Sequence, residues 1–145
     1  MTEKETSQTE KRTKVKTFTV PFDSVEIKEN ITINSNIPSK YSKDQIINQA
    51  FKFHSQGNIK EAAKYYQIFI NQGFEDHRVF SNYGIILKNL GKLKEAELSY
   101  RKAIETKPNF VEAHYNLGNI LNDLGKLKEA ELSYRKVIEL NPNLA

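Results

Sequence analysis

The feature that most constrains this 145-residue chain is an internal duplication. Residues 91–105 recur at 125–139 with fourteen of the fifteen positions identical, the exception being Val137 in place of Ala103. A more divergent copy precedes them at the same spacing and begins at Gly57. A fixed period of about 34 residues is typical of chains that stack one small structural unit several times. We therefore expect three units, at about 43–76, 77–110 and 111–145.

Each unit is predicted to be two helices joined by a short turn. Apolar residues are spaced three or four apart in both halves of a unit, as with Leu117 and Leu121 in the third. A glycine separates the halves, where a helix end commonly needs a positive φ. Pro108 and Pro142 follow the second helix in the second and third units, and proline cannot continue a helix. The fold class predicted for residues 41–145 is therefore all-α.

Two polar patterns indicate where first helices begin. Ser42 with Gln45 three residues later has the spacing of a capping box, in which each side chain bonds the other residue's backbone N–H. Asn109 with Glu112 has the same spacing and predicts a similar start for the third unit.

Residues 1–40 differ in kind from the rest of the chain. They are rich in Thr, Lys, Glu and Asn and show no sustained helical period. The segments 17–22 and 31–33 have strand-like composition, but two such short segments cannot bury a core. We predict a disordered or weakly structured N-terminal tail over residues 1–40.

Composition excludes several classes of protein. The absence of cysteine excludes disulfide scaffolds and thiolate chemistry. Residues 1–40 carry 7 basic and 6 acidic side chains and residues 41–145 carry 15 and 12, so neither part has the excess of positive charge expected of a nucleic-acid-binding protein. No apolar run is long enough to cross a membrane, and the polar N-terminus has no secretory signal. These features favour a cytoplasmic location.

The repeated unit resembles the tetratricopeptide repeat (TPR). That family's pattern is an aromatic residue, Leu-Gly and a second aromatic on the first helix, then alanine, an aromatic and proline on the second. The matching residues are Phe80, Tyr83, Gly84, Leu87, Ala96, Tyr100 and Pro108 in the second unit, and His114, Leu117, Gly118, Leu121, Ala130, Tyr134 and Pro142 in the third. The first unit departs most, with Ile46, Gln49, Ala50, Phe53, Ala62, Tyr66 and Phe74.

The resemblance implies a right-handed α-solenoid of three units, similar to bacterial TPR regions of the O-GlcNAc-transferase-like type. Small residues such as Gly84 and Ala96 would let the paired helices approach closely. One tyrosine in each unit is predicted to fill the space between neighbouring units: Tyr66, Tyr100 and Tyr134.

One asparagine recurs once in each unit at the spacing of the repeat, as Asn48, Asn82 and Asn116. The resemblance implies that the first helices line a concave groove, so these amides would form a ladder there. An amide can pair with both the N–H and the C=O of a peptide backbone; alternatively, these amides bond neighbouring helices or water. The residues predicted to bind a partner are Asn48, Asn82, Lys88, Asn116, Asn119 and Asn122.

The chain contains no recognisable catalytic motif. His54, His77 and His114 are scattered, and His114 takes an aromatic position of the repeat, which favours a packing role. Glutamates such as Glu97 and Glu131 fall beside lysines on repeated helix surfaces and are predicted to lie on a solvated, mixed-charge face. We therefore expect no enzymatic activity, no cofactor and no metal.

The predicted function is a non-catalytic scaffold that binds an extended peptide or a partner protein in its groove. Because Glu112 and Asn116 stand where chaperone-binding relatives have basic residues, we do not expect capture of an acidic peptide C-terminus. An alternative is the N-terminal TPR region of a larger glycosyltransferase, sulfotransferase or methyltransferase, serving recruitment of a substrate protein. We also expect weak self-association through the C-terminal end, where Leu132 and Val137 would lack a covering unit.

Overall fold

The structure, a computed structural model, describes residues 41–144. These residues form six α-helices: α1 (Lys43–Ser55), α2 (Ile59–Asn71), α3 (His77–Asn89), α4 (Leu93–Thr106), α5 (Val111–Asp123) and α6 (Leu127–Leu140). A short 3₁₀ helix, Pro142–Leu144, follows α6. Within the described range there is no strand, so the prediction of an all-α fold built from paired helices is confirmed. The prediction for residues 1–40 concerns a segment outside the described residues.

The chain divides into two compact parts, with the boundary between Phe74 and Glu75. The first part contains the hairpin of α1 and α2. The second part contains two hairpins, α3 with α4 and α5 with α6. These two hairpins stack chiefly through α4 and α5, and α3 also contacts α5.

The first hairpin begins with the capping box that the sequence predicts. The side chain of Gln45 accepts from the Ser42 N–H at 2.8 Å, and Ser42 Oγ accepts from the Gln45 N–H at 3.2 Å. Most positions of the repeat pattern lie in the core, with Ile46, Ala50 and Tyr66 at most 1% exposed. Gln49 stands where leucine is usual and is exposed, so this position adds nothing to the core.

The predicted cap for the third hairpin is wrong. The residue preceding α5 is Phe110, and no side chain caps the helix. The Phe110 N–H donates to the carbonyl of Lys107 at 3.1 Å, which closes a turn, and the Phe110 ring packs on His77 with centroids 4.6 Å apart. This turn, anchored by an aromatic residue, sets the helix start instead of the Asn109–Glu112 pair.

Glycines end the first helices as predicted. Gly57, Gly91 and Gly125 have φ of +74°, +76° and +75°, in the left-handed region that glycine adopts without steric cost. Gly73, at φ +78°, plays the same part at the end of α2. The first repeat therefore ends on a glycine turn, with Phe74 at the position where the other two repeats have proline.

Two further glycines allow close helix packing. A β-carbon added at Gly84 would lie 2.7 Å from Cε1 of Tyr100, and one added at Gly118 would lie 2.6 Å from Cε1 of Tyr134. The expectation placed these tyrosines between neighbouring units. The structure seats each ring against the first helix of its own hairpin, because glycine leaves a recess there. Tyr100 is in addition on the helix that packs against the third hairpin and is 1% exposed, whereas Tyr134 is half-buried.

Candidate functional site

Four side chains make a polar and aromatic surface on α5. Tyr115, Asn119 and Asn122 are spaced four and three residues apart and share one side of the helix, with Asn116 beside them. Tyr115 is 52% exposed, Asn122 is exposed, and Asn116 and Asn119 are half-buried. We call these four residues the amide face. It offers hydrogen-bond donors and acceptors next to an accessible ring.

Asn119 has a structural bond as well as a place on this surface. Its Oδ1 accepts from the hydroxyl of Tyr134 at 2.6 Å, and the rings of Tyr115 and Tyr134 are 6.2 Å apart. Burial raises the pKa of Tyr134, and the charges of Tyr115 and Asp123 raise it further. The phenol therefore remains protonated at neutral pH and donates to Asn119, which leaves the Asn119 NH₂ group as the part available to a ligand.

Asn116 is the fourth member of the amide face. Its amide makes no hydrogen bond to any other part of the described chain, although it is half-buried. A half-buried amide without a protein partner retains both donor and acceptor capacity for a ligand or for water.

The neighbouring helix α3 carries two more of the predicted residues. Asn82 is half-buried and Lys88 is exposed near the C-terminal end of the helix.

At the N-terminal end of α3, Asp76 caps the helix and holds Arg78 through Oδ2···Nη2 at 2.8 Å and Oδ1···Nε at 3.0 Å. Burial alone would raise the pKa of Asp76, but its hydrogen bonds from Arg78 outweigh that effect and lower it. The carboxylate is therefore ionised at neutral pH and fixes the guanidinium.

The structure brings together only part of the predicted set. Asn82 and Asn116 lie on contacting helices of the second part, whereas Asn48 is exposed on α1 in the first part. The ladder of three asparagines therefore stays a prediction.

Tyr115 was not among the residues predicted from the sequence. The equivalent residues of the other hairpins, Ile47 and Ser81, are 5% and 3% exposed, so this position of the repeat is buried there. The register of the repeat therefore assigns Tyr115 to a position that is buried in the other two hairpins. The available signal was its place one residue before the recurrent asparagine.

The histidines have packing roles in the described part of the chain. His114 is buried, and its Nε2–H donates to the carbonyl of Pro108 at 2.7 Å, which confirms the prediction for this residue. His54 Nδ1 is hydrogen-bonded to the Tyr66 hydroxyl at 2.8 Å, and burial lowers the pKa of His54.

Residues 41–144 contain no group of three acidic or histidine side chains placed to hold a metal ion. None of the helices described is long and apolar enough to cross a membrane.

Glu97 contradicts the prediction of a solvated charged face. It is only 8% exposed, and it accepts from Lys126 Nζ at 3.0 Å and from Arg101 Nε at 2.9 Å. Arg101 also donates to Glu129 at 2.7 Å, so the network joins α4 to the third hairpin. Burial alone would raise the pKa of Glu97, but the bonds from Lys126 and Arg101 outweigh it and lower the pKa. The third hairpin buries this carboxylate and supplies one of its cations.

The matching residues on α6 lie in solvent. Glu131 is exposed and pairs only with Arg135 of the same helix, at 2.6 Å, within the described chain. Val137 is 7% exposed and thus already buried, contrary to the expectation for the C-terminal end. Leu132 is 65% exposed, but so is its counterpart Leu98 on the covered helix, so a covering unit would not bury it.

Comparison with known proteins supports the TPR assignment. Residues 111–144 match the family model of the tetratricopeptide repeat, and residues 84–121 match a second TPR-repeat model. A search of curated proteins gave no significant match.

Several solved structures share this fold. The first TPR of Spaghetti (RPAP3), bound to an HSP90 peptide, is 26% identical over 68% of this chain and 78% of its own, with a TM-score of 0.62. MamA is 17% identical over 83% of this chain and 69% of its own, with a TM-score of 0.67. The TPR2B domain of yeast Sti1, in a complex with pHsp70, is 23% identical over 70% of this chain and 81% of its own, with a TM-score of 0.62. The last two likenesses show the fold alone.

Proposed function

We propose that this chain is a non-catalytic interaction scaffold that binds an extended peptide segment of a partner protein along α3 and α5, the first helices of its second and third repeats. The observation that carries the proposal is the amide face of α5, which combines partly exposed amides with the accessible ring of Tyr115. Amides pair with peptide backbone whatever the side chains of the peptide, and the ring adds apolar contact. The expected ligand is therefore an unstructured segment bound with little sequence preference.

The solved neighbours support this class of ligand. The Spaghetti domain, the neighbour with 26% identity, is bound to an HSP90 peptide. In this chain, Glu112 is exposed one turn before Asn116 and adds negative charge beside the amides. We therefore propose neutral or basic segments as ligands. The alternative, recruitment of substrates by a larger transferase of which this is the N-terminal region, stays a prediction.

The test selects ligands from a library of short unstructured peptides displayed on phage and measures the affinity of a synthetic hit by titration. Each neutral hydrogen bond contributes about 0.5–1.5 kcal/mol net, so the pair Asn116→Ala and Asn122→Ala should together weaken binding by about tenfold. Tyr115→Ala should weaken it further. Asn119 is left unchanged because its oxygen is bonded to Tyr134.

The matched control is the pair Lys94→Ala and Lys128→Ala, two exposed residues of the second helices. This variant should bind the same peptide as the parent chain does, and both variants should unfold at the parent's temperature. Unchanged affinity in the asparagine variant would contradict the proposal. Selection of peptides with acidic C-termini would contradict the proposed ligand class.

A further inference from the structure

One side of α2 is buried although the hairpin that contains this helix cannot cover it. We call it the outer side of α2 and define it by Lys64 and Ile68, which lie one turn apart. Each is two residues from Tyr66, whose hydroxyl bonds His54 of α1, and two residues correspond to about 200° around a helix. Ile68 is nevertheless 4% exposed, and the side chain of Lys64 is 22% exposed.

The other second helices indicate that a following hairpin does not bury these two positions. Helix α4 packs against the third hairpin, and α6 has no later hairpin within the described chain, yet the outer side is accessible on both. Leu98 and Leu132, at the first position, are both 65% exposed. Lys102 and Lys136, at the second position, have side chains 31% and 39% exposed. A different element is therefore needed to bury Ile68, and an isoleucine suits an apolar one.

The chain that leads into α1 starts beside this outer side. In the second hairpin, Glu75 precedes α3 and pairs with Lys102 of α4 at 3.2 Å. The residue 34 positions before Glu75 is Tyr41, just as Ile68 is 34 positions before Lys102. Burial raises the pKa of Tyr65, one turn before Ile68, and the charge of Tyr41 raises it further. Residues that precede Tyr41 therefore leave the described part of the chain next to the outer side of α2.

The sequence before Tyr41 alternates apolar and polar residues with a period of two. Between positions 25 and 37, apolar side chains occur only at odd positions: Val25, Ile27, Ile31, Ile33 and Ile37. Such alternation predicts an extended segment with one apolar side, and Pro38 favours extended backbone in the residue before it. Residues 31–37 span about 20 Å when extended, which is about the length of the 13-residue helix α2.

We infer that residues 31–37, which lie outside the described residues, pack as an extended segment along the outer side of α2. Ile31, Ile33 and Ile37 face the helix and cover Ile68, while the polar residues between them face water. The folded domain then begins near residue 31, and the predicted tail shortens to residues 1–30. This inference does not depend on the ligand proposed for the amide face.

Connectivity favours this segment over other occupants. Ile37 is only four positions before Tyr41, so the segment is held beside the helix at an effective concentration of about millimolar or more. A second copy of the chain would have to reach that concentration in solution. The other apolar segment, residues 17–22, is tethered by a longer stretch and is interrupted by Pro21.

The full chain contains no cysteine, so disulfide trapping tests the inference directly. Two variants share Lys64→Cys on α2; one adds Ile33→Cys, and the matched control adds Val20→Cys in the other apolar segment. Oxidised glutathione starts the reaction, and non-reducing electrophoresis follows it. In a freely moving tail the two rates differ by only about twofold, because the probability of loop closure falls as about the three-halves power of loop length.

An intramolecular disulfide that forms about tenfold or more faster with Ile33→Cys than with Val20→Cys is the expected result. Adding Ile68→Lys should reduce that excess to about twofold. Lysine stands at this position in the other two hairpins, and circular dichroism checks that the helices remain. Rates within about twofold of each other in the first two variants would overturn the inference, and so would a rate that Ile68→Lys leaves unchanged. A faster reaction of Val20→Cys would assign the surface to residues 17–22 instead, and disulfide-linked dimers would assign it to a second copy.

Discussion

Helices α4 and α6 differ at only two of their fourteen positions, Ala103/Val137 and Thr106/Leu140, yet they occupy different environments. Tyr100 is 1% exposed on α4, whereas Tyr134 is half-buried on α6. Glu97 is buried in a network of charges, whereas Glu131 is exposed. Leu98 and Leu132 serve as an internal control, because both are equally exposed. The side chains that differ are those that the third hairpin covers on α4.

The comparison separates two sources of stability within one repeat. Both helices form from the same local signals, so local propensity is common to both. The difference in burial comes from a neighbouring hairpin that α4 has and α6 lacks within the described chain. The difference in the free energy of unfolding between substitutions at matched positions therefore measures how much coverage by the next hairpin stabilises the fold.

The largest difference in the free energy of unfolding is expected between substitutions of the matched tyrosines Tyr100 and Tyr134. Tyr100→Ala removes a fully buried ring and should lower the free energy of unfolding by about 3–5 kcal/mol. Tyr134→Ala removes a half-exposed ring and one hydrogen bond, and should cost about 1–2 kcal/mol. Urea denaturation followed by circular dichroism measures both, and equal losses would show that coverage does not matter.

A smaller difference is expected at the glycines that face these rings. Gly84→Ala places a methyl group 2.7 Å from a ring that cannot move, and should destabilise by about 1–3 kcal/mol. Gly118→Ala creates the same clash, but the Tyr134 ring can turn toward solvent. The helix-forming preference of alanine, about 1 kcal/mol over glycine, then offsets most of the loss.

Thermal unfolding of Gly84→Ala and Gly118→Ala measures the difference in stability between the two variants. A melting temperature for Gly118→Ala close to that of the parent is the expected result. Equal destabilisation by both variants would mean that the Tyr134 ring is held as firmly as that of Tyr100.

The third matched pair tests the buried carboxylate. Glu97→Gln removes the anion that Lys126 and Arg101 share, which leaves Arg101 paired with Glu129 alone, and should destabilise by about 1–2 kcal/mol. Glu131→Gln breaks an exposed pair within one helix and should cost less than about 0.5 kcal/mol. Urea denaturation at low and at high salt distinguishes them, because screening should abolish the small effect of Glu131 first.

The smallest expected effect is the pH dependence of the stability that Glu97 contributes. The pKa of Glu97 lies below its ordinary value of 4.5, so folding favours the ionised form. Its contribution is present above about pH 4.5 and is lost as the pH falls through the folded-state pKa. The stability difference between the parent and Glu97→Gln should therefore shrink in acid. A constant difference from about pH 7 to about pH 3 would show that the carboxylate is not selectively stabilised.

Local features were the predictable part of this molecule. The capping box at Ser42 and the glycine turns follow from residues within a few positions of one another. The cap predicted at Asn109 failed because an aromatic contact between Phe110 and His77, which are far apart in the sequence, sets that turn. Tyr115 was missed for a similar reason, since the same repeat position is buried in the other two hairpins.

By itself the sequence determined the period of the repeat, the pairing of helices and the glycines at the turns, because caps, turns and helical periodicity act over a few residues. Only the tertiary structure decided that Glu97 is buried and Glu131 exposed, although the two helices are almost identical in sequence. The physical reason is that burial belongs to a contact between elements. A helix carries the information to form, but whether its side chains meet water or protein depends on what packs against it.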